Sequence, residues 1–297
     1  VGEGGARAAV SVTAKATFRV ALAQVDCVLG DVAANVHAAR DAIAQARAGG
    51  ADLVVFPELS LTGYALGAVA EDVALAAGDE AIAGLAAAAG DTGVLVGFVE
   101  EGPVQTYNSA VYLQDGAAVH VQRKTYLPTY GRFEEHKHFA PGQALRAFDT
   151  RLGRFAVLIC NDAWQAPLPF LAVHDGARVL IVPASSSLSP DAGDPAEIER
   201  DWYDLLRVHA RFLQAYVVFV NRVGEEAGLT FWGGSQVVDP WGRVVALAPS
   251  HEPAIVMADL DLGAVRRRRR EMPLLKEARL GLLRREMGRL LADGVDD

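Results

Sequence analysis

The run Phe155-Ala156-Val157-Leu158-Ile159-Cys160-Asn161-Asp162-Ala163-Trp164 decides how the fold of this 297-residue chain is read. Five consecutive apolar residues without alternation predict a strand buried on both faces, the signature of a mostly parallel sheet with helices outside. The polar residues that follow end the strand and leave Cys160 at its boundary with a loop. Strand ends are where α/β sites assemble, because rigid strands hold the side chains that loops enclose.

The pattern repeats outward from there. Apolar strands are predicted at 18–25, 53–56, 94–99, 109–113, 118–123, 179–182 and 217–220. Helical spacing lies between them: at 31–48, where Val32, Val36, Ala39, Ile43 and Ala46 form one stripe before Gly49-Gly50, at 71–89, and at 196–214. Three more strands are expected before a charged helical tail from Leu262. Each half has the rhythm strand, helix, strand, helix, paired strands, which implies an α/β fold with buried sheets. No linker is long enough to divide the chain. One domain is expected over 18–262, after a Gly/Ala-rich, partly disordered extension at 1–17 and before the tail at 263–297.

Composition narrows the function. A net charge of -9 disfavours a nucleic-acid partner, since phosphates would repel the average surface. Five arginines at 266–270 read instead as a solvated or subunit-contacting helix, with Glu271, Glu277 and Glu286 near enough to pair. Two cysteines, Cys27 and Cys160, are too few for a disulfide scaffold and form no zinc pattern, so no metal and no cofactor is expected. No apolar run approaches the roughly 20 residues of a membrane span, and the start lacks a signal-peptide layout. A cytoplasmic protein without membrane contact is the expectation.

Two other ionisable residues share the placement of Cys160: Glu58 follows Leu53-Val54-Val55-Phe56-Pro57, and Lys124 follows the strand ending at Arg123. A thiol is a weak nucleophile at neutral pH and needs a base for its proton or a cation for its thiolate. Glu58 suits the first role and Lys124 the second. Singly, each has a bland alternative: an inert core cysteine, a solvated turn glutamate, a surface lysine.

Together they sit in recognisable motifs. Phe56-Pro57-Glu58-Leu59-Ser60-Leu61-Thr62-Gly63-Tyr64, Arg123-Lys124-Thr125-Tyr126-Leu127-Pro128-Thr129-Tyr130-Gly131 and Leu158-Ile159-Cys160-Asn161-Asp162-Ala163-Trp164 resemble, in order and separation, the three signatures of the nitrilase or carbon–nitrogen hydrolase superfamily. The resemblance spans about 18–262. It implies a four-layer α-β-β-α sandwich and a Glu58-Lys124-Cys160 triad that hydrolyses a carbon–nitrogen bond through a thioester, with the oxyanion against Lys124 and the Asn161 N–H. It also implies that Glu135, rather than Glu134, orients the lysine and the leaving group, and that the protein is a homodimer or higher oligomer. The stretch at 231–242, with its Asp-Pro-Trp-Gly turn, is assigned structure rather than catalysis.

The local resemblance is to the glutaminase domain of glutamine-dependent NAD synthetases, through Tyr64 and Tyr130, each six residues after its triad member. It breaks at the ligand-holding positions: neutral Asn161 stands where those domains carry an acid, and the segment at 184–190 lacks their arginine. No Gly-rich phosphate loop is visible. Free glutamine is therefore disfavoured, as is a nitrile, and a small linear amide or N-carbamoyl compound is expected. Its pocket would be lined by Tyr64, Tyr130, Phe133, Asn161, Trp164 and Ser186. The competing readings are a catalytically silent scaffold of the same fold and an acyltransferase that uses the same thioester.

Overall fold

The computed structural model describes residues 15–130, 133–188 and 194–294; most of the expected extension at 1–17 lies outside them. In chain order the elements are β1 (Thr17–Gln24), α1 (Val32–Ala48), β2 (Leu53–Val55), α2 (Glu80–Ala89), β3 (Gly93–Glu101), β4 (Thr106–Gln114) and β5 (Ala117–Arg123). Then come β6 (Phe148–Thr150), β7 (Gly153–Val157), α3 (Pro167–His174), β8 (Val179–Ala184), β9 (Ser187–Leu188), α4 (Pro195–Leu213) and β10 (Tyr216–Asn221). The remainder is β11 (Val223–Glu226), β12 (Leu229–Trp232), β13 (Gln236–Val238), β14 (Val244–Leu247), β15 (Ala254–Asp261), α5 (Leu262–Glu271), α6 (Leu274–Glu277) and α7 (Leu280–Ala292).

Two six-stranded sheets carry the fold, ordered β15-β1-β2-β3-β4-β5 and β14-β13-β10-β8-β7-β6. In each, three central strands run parallel and the flanking strands antiparallel. The likeness of the two halves in the sequence is thus a likeness of two sheets. Alternation explains why the strands are apolar throughout. Val20, Leu22, Leu53 and Val55 face Val157, Ile159, Val179 and Val218 between the sheets. Their neighbours Ala21, Val54 and Val94 pack under α1 and α2, and Leu158, Leu180 and Phe219 under α3 and α4. The layers are α-β-β-α, and each fully buried Val, Leu, Ile or Phe contributes roughly 1.5–3 kcal/mol. β15 then crosses back to pair with all of β1, tying the end of the second half to the first sheet.

Three expectations need correction. The helix expected at 71–89 begins only at Glu80. Its N-cap Asp79 accepts from the Ala81 N–H, and Leu75 before it is drawn into extended pairing with Val99 and Glu101. Five strands, not three, follow β10, because β11 and β12 form a hairpin of their own with β9. The short α3 and β6 carry too few periodic residues to stand out in the sequence. Of the tail arginines, Arg267 pairs with Asp261, Arg268 with Glu271, and Arg269 donates to the Gln214 and Ala177 carbonyls. Glu286 pairs with Arg289 instead, and Glu277 forms no ion pair among the described residues.

Candidate active site

The parallel strands aim their C-terminal ends at one place. Beyond β2, the Pro57-Glu58-Leu59 turn lies so close to β3 that a Cβ on Gly97 would stand 2.3 Å from the Leu59 nitrogen, so only glycine fits there. Beyond β7, Cys160 adopts φ 47° at the start of a 3-10 turn, Cys160–Trp164. A non-glycine residue in the left-handed region is strained, and such strain gathers at functional sites. Lys124 leaves the end of β5 with its N–H on the Asn108 carbonyl and its own carbonyl on the Gly142 N–H.

These three residues, far apart in the chain, converge with Glu135. The fully buried Lys124 Nζ donates to Glu58 Oε1 and to Glu135 Oε1, each at 2.7 Å. Its third N–H has no partner among the described residues. Asn108 Nδ2 donates to Glu58 Oε1 at 2.8 Å, and the Ser185 N–H, from the end of β8, donates to Glu58 Oε2 at 2.8 Å. The Cys160 thiol lies near enough to Glu58, Lys124 and Glu135 to feel the charge of all three. Glu135, not Glu134, enters the site: Glu134 is exposed and pairs with Lys137. Glu135 Oε1 also accepts from the Tyr64 hydroxyl at 2.6 Å.

Electrostatics follow from this crowding. Burial, then Glu58 and Glu135, pushes the Cys160 thiol well above its ordinary value, and Lys124 pulls it back only in part. These neighbours favour the thiol over the thiolate. Burial would lower the Lys124 ammonium, but Glu135 and Glu58 outweigh it and hold the lysine well above its usual range. Burial raises Glu135 to about 6 against the pull of Lys124. Cys27, the other free cysteine, is buried and pushed up to about 12 by loss of water, which makes it inert.

Cys160 opens onto a cavity of about 220 Å³. All six residues expected to line a pocket do line it: Tyr64, Tyr130, Phe133, Asn161, Trp164 and Ser186. Phe133 stands edge-on to both Tyr64 and Tyr130, and Trp164 edge-on to Trp202. The Asn161 amide donates to the Tyr126 carbonyl at 3.1 Å and accepts from the Tyr130 hydroxyl at 3.4 Å.

Several residues here escaped the sequence reading. Asp162, fully buried, accepts from the Thr125, Tyr126 and Ile159 N–H groups, stitching the segment after Lys124 to the cysteine turn. It lay inside a quoted motif, and an acid three residues after the apolar run ending at Ile159 was the available signal. Glu226 accepts the Tyr64 and Ala65 N–H groups while pairing with buried Arg222. Ser185 contributes a backbone N–H, which no side-chain pattern reveals. Ile198, Asp201 and Trp202 reach the cavity from α4, whose periodicity reads simply as core. No group of three or more potential metal ligands occurs among the described residues, and no helix there is long and apolar enough to cross a membrane.

The carbon-nitrogen hydrolase family profile matches residues 19–270. The glutamine-dependent NAD(+) synthetase of Thermotoga maritima is 34% identical over 253 residues, covering 82% of this chain but 42% of the relative. The chain thus spans less than half the length of the synthetases it matches. Omega-amidase NIT2 of Danio rerio is 31% identical over 272 residues, 88% of this chain and 95% of that protein. Among solved structures, an amidase from Nesterenkonia sp. superposes with a TM-score of 0.75 at 25% identity, covering 91% of this chain and 97% of that one.

Proposed function

The chain belongs to the carbon-nitrogen hydrolase family, and from that premise we propose that it is an amidase-type enzyme cutting a non-peptide carbon–nitrogen bond in a small linear amide or N-carbamoyl compound. One observation carries the reading: Lys124 is clamped between Glu58 and Glu135 in a buried floor, next to the single thiol that opens onto the aromatic cavity.

The sulfur begins protonated, so attack requires a base. Glu58 takes the Sγ proton as sulfur bonds the substrate carbonyl carbon, and the negative charge passes from carboxylate to the carbonyl oxygen. The site's net charge is unchanged by this transfer, so little is lost to repulsion. The oxyanion is met by the free N–H of Lys124 and the Asn161 backbone N–H; one such donor is typically worth about 3 kcal/mol. Collapse breaks the C–N bond, and Glu58 returns its proton to the departing nitrogen, leaving a thioester. Water then attacks the thioester carbon, giving its proton to Glu58, which passes it to the leaving sulfur and frees the acid. Glu135 positions the lysine throughout.

An ammonia-release screen over amides, N-carbamoyl compounds and nitriles, with Cys160→Ala as blank, tests the reading. Release from nitriles alone would replace the substrate class. Labelling of Cys160 by an electrophile, lost in Lys124→Ala and Glu58→Gln, separates an enzyme from a silent scaffold, which would show no such dependence. Product analysis with added amines distinguishes hydrolysis from acyl transfer.

A further inference from the structure

Resting on the amidase reading, we propose that Asp201 is a specificity residue, selecting substrates whose end remote from the scissile bond carries a positive charge. The substrate class is then a short amide or N-carbamoyl compound with a terminal amine.

The placement of Asp201 is what argues for this. Ile198, Asp201 and Trp202 are spaced three and four residues apart on α4, so they share one helical face, and all three border the cavity. An acid within an otherwise apolar stripe gains nothing from packing. The rings of Tyr130, Phe133 and Trp164 line the same cavity, and aromatic rings attract cations over their faces. A carboxylate and several aromatic rings around one small cavity suit an ammonium group, and the same carboxylate repels an anionic tail. No lysine, arginine or histidine borders the cavity among the described residues.

The chemistry at Asn161 fits this placement. That neutral amide is committed to the Tyr126 carbonyl and the Tyr130 hydroxyl, so it offers no charge to a substrate. Charge recognition comes instead from Asp201 on α4, which lines the same cavity. Asp201 is exposed at the rim, so water screens it, and the expected discrimination is modest, about tenfold from an ion pair and cation–π contact combined.

Three amides of matched length test this: 5-aminopentanamide, neutral hexanamide and anionic glutaramate. kcat/KM is measured for wild type, Asp201→Asn and Asp201→Lys, and dissociation constants are measured on Cys160→Ala with and without Asp201→Asn. The expected result is about a tenfold preference for 5-aminopentanamide over hexanamide, collapsing in Asp201→Asn and shifting toward glutaramate in Asp201→Lys. A preference that survives Asp201→Asn overturns the inference. So does a wild-type preference for glutaramate that Arg132→Ala removes, since Arg132 lies in sequence between the cavity-lining Tyr130 and Phe133 and outside the described residues. If no amide is turned over, yet Cys160→Ala binds the amine selectively and loses that selectivity with Asp201→Asn, the amidase reading fails and only the selection of a cationic end by Asp201 stands. Neither turnover nor selective binding removes both.

Discussion

Glu135 shows how one side chain couples stability to activity. Its folded value is about 6 against an ordinary 4.5, chiefly because burial disfavours the charged form. The folded protein therefore holds this proton more tightly than the unfolded chain does. The sign follows: the Glu135 contribution to stability is largest below about pH 4.5 and is lost as pH rises through 6. Activity should run the other way. Protonation removes one of the two carboxylates that hold Lys124, so kcat/KM is expected to fall on the acid side with an inflection near 6. Glu135→Gln keeps an acceptor for the Tyr64 hydroxyl but loses the charge. We expect about a hundredfold lower kcat and disappearance of that inflection. A pH–rate profile identical to wild type would show that Glu135 does not govern the lysine. Asp162 is raised to about 6 by burial as well, so the profile of Asp162→Asn is the necessary control.

At the scale of elements, the site depends on loops fastened to one another by buried acids. Asp162 joins the β5 and β7 ends; Glu226, on β11, fixes the turn that aims Tyr64 at Glu135. Glu226→Gln leaves the guanidinium of Arg222, itself fully buried, without its closest counter-charge. The expected cost is about 3 kcal/mol of unfolding free energy, read from denaturant midpoints, together with a raised KM from a displaced Tyr64. An unchanged midpoint would mean that Asp26 and the Cys27 carbonyl satisfy Arg222 alone. Gly224→Ala tests the same joint sterically, because its Cβ would meet the Asp26 carboxylate at 2.2 Å where φ is already +98°. These fasteners also explain what was legible in the sequence. Glu58, Lys124 and Cys160 end strands whose apolar runs are unmistakable, and Glu135 was found by register within its motif. Asp162, Glu226 and Ser185 act through backbone N–H groups that only folding brings near. Asp201 and Trp202 sit on a helix whose 3.6-residue stripe says that one face is covered but not by what. Two of the five strands after β10 went uncounted, in a stretch where β11 and β12 are four residues each, too short for alternation to register.

Across the whole molecule, the outer layer of the second sheet is unfinished. α3 and α4 pack on that sheet with their inner faces, yet leave Leu171, Val208 and Phe212 about half exposed or more, at 53%, 49% and 63%. α7 adds a stripe of Leu280, Leu283, Met287 and Leu290 with no buried residue anywhere along it. Scattered surface apolar groups need no explanation, but large exposed side chains on the contacting helices α3 and α4 mark a candidate association face, and α7 carries a separate apolar stripe. The occupant we predict is a second copy of this chain, in keeping with the pairing implied by the family resemblance. α3 directly follows the cysteine turn, so such pairing would also brace the Cys160 elbow from behind. Light scattering after size exclusion should give at least twice 31.5 kDa. Phe212→Glu places a charge in the middle of the face and should shift the mass toward the monomer while far-ultraviolet circular dichroism stays unchanged. A loss of activity in that monomer, without loss of secondary structure, would show that the elbow needs its neighbour. A wild-type protein that is monomeric at micromolar concentration would instead leave the α3–α4 face for some other ligand and refute the pairing.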